Sequence, residues 1–234
     1  MFIELCTARL EDCLKARDQG FGRIELNGDL ITGGLTPSYG LVSKVLSQVE
    51  LPVVVMLRPR AGGFCYSDAE FEVMMTDLDL LLSLKPEAIA VGILTHEGMI
   101  DEVRMKWIIE RCHQEKVKVV FHRAFDVITS YSLEEAADRL VTLGVDRILT
   151  SGGASTALEG VSRLAKLQEC YKDQITFVAG SGITQENAPL ITRQTGITQL
   201  HGSFSIPLTE DPTSRGNRVN YDVTLLKLND EVKW

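Results

Sequence analysis

Short apolar runs alternate along this chain with segments whose apolar residues recur at helical spacing. Eight runs rich in Val, Ile, Leu and Phe read as strands: Phe2–Leu5, Arg23–Leu26, Val53–Leu57, Ala88–Val91, Val117–Phe121, Arg147–Thr150, Thr176–Ala179 and Gln199–His201. Their starts fall about 30 residues apart, the length of one strand–helix unit. Between them, Phe71, Met74, Met75, Leu78 and Leu82 trace a single buried helix face. Helix starts are marked by capping boxes at Ser67–Glu70, Ser132–Glu135 and Thr156–Glu159, in which hydroxyl and carboxylate reciprocally satisfy open backbone N–H groups. Thr36-Pro37 adds a fourth start, with Thr36 as N-cap and Pro37 at the first helical position. The pattern predicts an α/β fold, a single (β/α)8 TIM barrel over residues 1–204. An open doubly wound sheet is the alternative, but no G-x-G-x-x-G follows the first strand and no Walker lysine motif occurs. Residues 205–234 hold a polar, turn-rich stretch and then YDVTLLKL; this segment is expected to pack on the barrel or on a neighbouring subunit of a homo-oligomer.

Charge narrows the choice of partner. The 234 residues include 24 Lys and Arg against 32 Asp and Glu, a net charge of −8, which argues against nucleic acid or an anionic membrane surface as partner. The opening MFIELCTARLED carries Glu4 and Glu11 where a signal peptide needs a basic start and an apolar run. No apolar stretch approaches the ~18 residues of a membrane span. The 5 cysteines include no C-x-x-C pair, the usage of free thiols in a reducing compartment, so a cytoplasmic protein is expected.

In a barrel of this kind, function gathers at the C-terminal strand ends. The fifth strand runs straight into Phe121-His122-Arg123-Ala124-Phe125-Asp126, which offers His122 as a general acid or base oriented by Asp126 or Glu25; the alternative is a buried histidine bonded to a carbonyl. Arg58 and Arg60, stiffened by Pro59, form either a bidentate clamp for a carboxylate or phosphate or salt bridges to Glu25 and Glu4. Arg123 adds a third guanidinium at that face. Ser181-Gly182 and Gly202-Ser203 follow strands seven and eight, where barrels commonly bind phosphate on loop amides, although glycines also simply serve turns. Cys13, Cys112 and Cys170 fall in helical segments and read as buried small hydrophobes. Cys6 and Cys65 fall at the strand-end face, where Met56, His122 and His201 could supplement two thiols around Cu(I). The spacing matches no compact metal motif.

The segments FIELC, GRIELN, GGLTPSYGL, VVVMLRPRAGGFCYSDAEF, FHRAFD and DRILTSGGASTALEG, in that order, resemble the copper homeostasis protein CutC family over nearly all of residues 1–204. The resemblance implies a cytosolic barrel tied to copper homeostasis, with copper as its ligand. It also implies a copper site built from a cysteine ending strand one, here Cys6, and a second cysteine after the RIEL motif, where this chain has Asn27. Cys65 or His201 would then complete the metal set of Cys6, Cys65 and His201. The other matching residues are Glu25, Arg58, Arg60, His122, Arg123 and Asp126. Being hard or cationic, they suit a small anionic metabolite better than Cu(I), so an enzyme working by acid–base chemistry on a phosphorylated or carboxylated small molecule is the alternative function.

Overall fold

The structure, a computed structural model, describes residues 1–208 and 224–234. Its centre is a closed barrel of eight parallel strands in sequence order: β1 (Phe2–Thr7), β2 (Arg23–Leu26), β3 (Val53–Met56), β4 (Ala88–Val91), β5 (Lys118–Phe121), β6 (Arg147–Thr150), β7 (Thr176–Gly180) and β8 (Gln199–Gly202). Around it lie α1 (Leu10–Ala16), α2 (Tyr39–Gln48), α3 (Asp68–Ser83), α4 (Glu102–Gln114), α5 (Leu133–Leu143), α6 (Val161–Tyr171) and α7 (Ala188–Thr195). The eight expected strands are the observed ones, with ends shifted by one or two residues, and the (β/α)8 class follows.

Both faces of most strands are buried, so the strands read as continuous apolar runs. Alternation then decides what each face meets. Ile3, Leu5, Ile24, Leu26, Val53, Val55, Ile89, Val91, Val119 and Phe121 point outward into the layer packed by helices. Val54, Met56, Ala88, Ala90, Val120, Leu149 and Val178 form a separate cluster inside the barrel. Glu4, Arg23, Glu25 and His201 on β1, β2 and β8, with Arg147 on β6, bring charged and polar side chains to the other inward positions.

Local signals held unevenly. Ser67 and Glu70 form the full capping box at the start of α3. Ser132 caps α5 through the Glu135 N–H, but the Glu135 carboxylate turns to Arg139 and leaves the box half made. Thr36 does not cap α2. Its hydroxyl donates to the Arg58 carbonyl oxygen and accepts the Arg58 N–H, which leaves Ser38 as the cap and Pro37 ahead of the helix. Thr156 accepts the Glu159 N–H, yet that turn ends at Gly160 and α6 begins at Val161. Cys170 is exposed, in contrast to the buried Cys13 and Cys112, because it sits on the solvent side of α6.

Beyond β8 the described chain makes a strand pair, β9 (Ser205–Pro207) with β10 (Leu226–Leu228), and then a tail ending at Trp234. The tail lies along α1: the Leu228 N–H donates to Asp12, the Trp234 N–H donates to the Gln19 carbonyl, and Phe204 packs between Phe21 and Trp234. The final YDVTLLKL is thus partly placed, while most of the polar 205–220 stretch lies outside the described residues. Among the described residues, no helix is long and apolar enough to cross a membrane.

Candidate functional site

A cavity of about 350 Å³ opens at the C-terminal mouth of the barrel. Its floor on one side is set by strand register. Parallel pairing places Glu4 beside Arg23 on β2 and beside His201 on β8, and Cys6 beside Glu25. Glu4, 3% exposed, receives the Arg23 guanidinium and lies 2.7 Å from Nδ1 of His201. Burial pushes the Glu4 carboxyl up, but the His201 hydrogen bond and Arg23 outweigh it and hold it at about 2. Burial opposes charge on His201 as well, yet Glu25, Cys6 and Glu4 keep it well above the usual imidazole range. The balance favours the charged ring, whose Nε2 stands 3.8 Å from Glu25.

Cys6 completes this corner. Its thiol donates to Glu25 at 3.5 Å and accepts from the Asn27 amide at 3.4 Å, while Asn27 also donates to Glu25 at 3.0 Å. Burial and the Glu25 carboxylate push the thiol up to about 11. Cys6 Sγ, a Glu25 oxygen and a His201 nitrogen all lie within 4.8 Å of one another, so one ion with ligand bonds of about 2–2.3 Å can reach all three. The Met56 thioether lines the same cavity.

Arg58, just past β3, and His122, just past β5, line the rest of the mouth. Arg58 forms no salt bridge to Glu25 or Glu4; its guanidinium donates to the carbonyl oxygens of Thr32, Gly34 and Gly62, tying two loops together. His122 accepts the Ala124 N–H on Nδ1. Burial, aided by the Arg58 charge, pushes its ring down to about 3, which favours the neutral imidazole.

Several residues expected at the site lie elsewhere or are otherwise engaged. Asp126 does not face His122. It accepts from the Ser151 and Gly153 N–H groups, the Thr150 hydroxyl and Arg123, pinning the loop after β6. Arg60 turns outward to Glu70 and stacks on Tyr66. Cys65 lines a different cleft between α3 and α4, with Trp107. Neither Arg60 nor Cys65 borders the mouth cavity. Arg123, Ser181, Gly182, Gly202 and Ser203 do border it, as do Cys6, Glu25, Arg58, His122 and His201. Sequence reasoning missed Arg23, which holds Glu4. The in-out alternation of Arg23-Ile-Glu-Leu26 is the signal that could have found it, since it aims Arg23 and Glu25 at the same lumen.

The CutC family profile matches residues 1–206. The chain belongs to the CutC family. It is 39% identical over 215 residues to a CutC family protein of Treponema denticola, covering 92% of this chain and 85% of that one. It is likewise 39% identical over 201 residues to the copper homeostasis protein cutC homolog of Mus musculus, covering 86% and 72%. A crystal structure of CutC from Streptococcus agalactiae superposes with a TM-score of 0.81 at 33% identity, over 87% of this chain and 98% of that one.

Proposed function

We propose that this CutC family member serves copper homeostasis in the cytosol by holding one Cu(I) ion at the barrel mouth, on Cys6 and His201. The observation that carries this reading is the cluster of Cys6, Glu25 and His201 within 4.8 Å. Thiolate and imidazole are soft and borderline ligands suited to Cu(I), and the Met56 thioether, another soft group, lines the same cavity. Asn27 brings no soft donor. Cys65, in its separate cleft, does not replace it.

The surroundings prepare both ligands. The hydrogen bond from Nδ1 of His201 to Glu4 fixes the ring so that Nε2 is the nitrogen turned toward Glu25 and Cys6. Glu25 sits on the thiol and is positioned to take its proton as the ion arrives. Loading would therefore move the Cys6 proton to Glu25 and require Nε2 of His201 to be free of its own.

Titration of Cu(I) against a chromogenic chelator tests the reading. Wild type is expected to take up one equivalent, Cys6→Ser to lose stoichiometric binding, and His201→Asn to bind at least tenfold more weakly. Unchanged affinity in Cys6→Ser overturns the proposal.

A further inference from the structure

Arg58 is a buried cation with no carboxylate partner among the described residues. It is 5% exposed, its partners are all carbonyl oxygens, and its Nε–H has no acceptor among the described residues. Burying an ion without counter-charge is costly, so a fold that keeps one there usually supplies an anion from elsewhere. His122 lines the same cavity, and both side chains pack on Phe64, at 5.1 Å and 4.9 Å from its ring centroid. Because Nδ1 accepts the Ala124 N–H, the ring proton resides on Nε2, and that N–H also lacks a partner.

Unsatisfied acceptors line the same cavity, on β2 and just after it. Glu25, 2% exposed, leaves Oε1 without a donor, and Asn27, fully buried, leaves Oδ1 without one. Buried polar groups in folded proteins are nearly always paired, so unpaired donors and unpaired acceptors around one cavity point to a polar ligand. The volume of about 350 Å³ is at the small end of ligand cavities.

We propose that the mouth binds a small organic acid carrying a hydroxyl or amino group, its acidic oxygens on Arg58 and His122 and its O–H or N–H on Glu25 and Asn27. The carbonyl oxygens that hold Arg58 keep the guanidinium in place before binding, so little ordering is lost when the acid arrives. This site shares Glu25 with the Cu(I) corner but does not use the ligands Cys6 and His201.

Thermal unfolding of the full chain tests it with four probes, acetate and glycolate for the carboxylate and inorganic phosphate and glycerol 3-phosphate for the phosphate, against sodium chloride at matched ionic strength. One hydroxylated probe is expected to raise Tm saturably, by about 5–10 °C at a hundredfold excess over Kd. The matching probe without the hydroxyl should bind at least tenfold more weakly, and the stronger pair identifies the acid. His122→Phe, which keeps a ring against Phe64 but removes the donor, should weaken binding at least tenfold, whereas Cys6→Ser should leave the shift intact while losing copper. In wild type itself, the NMR signals of His122 Nε2–H and Arg58 Nε–H should move saturably with the binding probe. Shifts no larger than those in sodium chloride for all four probes, equal shifts in wild type and His122→Phe, or unmoved signals overturn the proposal.

Discussion

Replacing Glu4 with Gln keeps the size of the side chain and removes its charge. In the native lumen that one carboxylate lies between Arg23 and His201, whose side chains are only 6% and 11% exposed. The amide can still accept a hydrogen bond, but it cannot offset two buried cations. Arg23 then keeps only the side-chain oxygen of Gln199, at 2.9 Å. Breaking a buried pair by deleting one partner costs about 3–5 kcal/mol, a third or more of the ~5–15 kcal/mol that holds a typical domain together. Urea unfolding followed by circular dichroism and tryptophan fluorescence should show this loss at an unchanged m-value. Adding Arg23→Met should recover at least about 1 kcal/mol of it, because the stranded cation is gone. The pH dependence gives a second check. Glu4 is held at about 2 against a usual 4.5, so its contribution is complete above pH 4.5 and is lost as pH falls toward 2. Wild type and Glu4→Gln should therefore converge in acid. A loss below about 1 kcal/mol at pH 7, or strictly additive losses in the double variant, refutes the reasoning.

Asp126→Asn should destabilise by about 2–3 kcal/mol in the same urea assay, because an amide cannot accept from Ser151, Gly153, Thr150 and Arg123 together, while Cu(I) stoichiometry stays at one. Alkylation at pH 8 followed by mass spectrometry should label the exposed Cys170 first; Cys13 and Cys112, buried and with thiols pushed up to about 12, should react only after unfolding.

The barrel was legible because each strand–helix unit carries its own local signals. A run such as Val53-Val-Val-Met56 is apolar on both faces, and Ser67-x-x-Glu70 starts the next helix without help from distant residues. Where a local signal failed, a distant partner had claimed the group. Thr36 has the right chemistry to cap a helix, but its hydroxyl lies against the Arg58 backbone, a neighbour that exists only once β2 and β3 are paired.

The candidate site divides along the same line. That Cys6, Glu25, Arg58, His122 and His201 end their strands could be read from the chain, since strand ends in a barrel share one rim. Which of them pair could not. Glu4 belongs to Arg23 and His201 rather than to Arg58 because the register of β1 with β2 and β8 sets them side by side. Asp126 is a loop anchor rather than the partner of His122, and Arg60 leaves the mouth for Glu70 on α3.

The sequence by itself determined the repeat, the barrel and the ring of polar groups at its rim, since all three depend on periodicity and residue type along a short stretch. Only the tertiary structure decided the charge state and partner of each group. Burial and electrostatic attraction act through space, and closing eight strands brings together residues as far apart in the chain as Glu4 and His201. The same closure leaves the Arg58 Nε–H and His122 Nε2 without partners among the described residues, beside an open cavity.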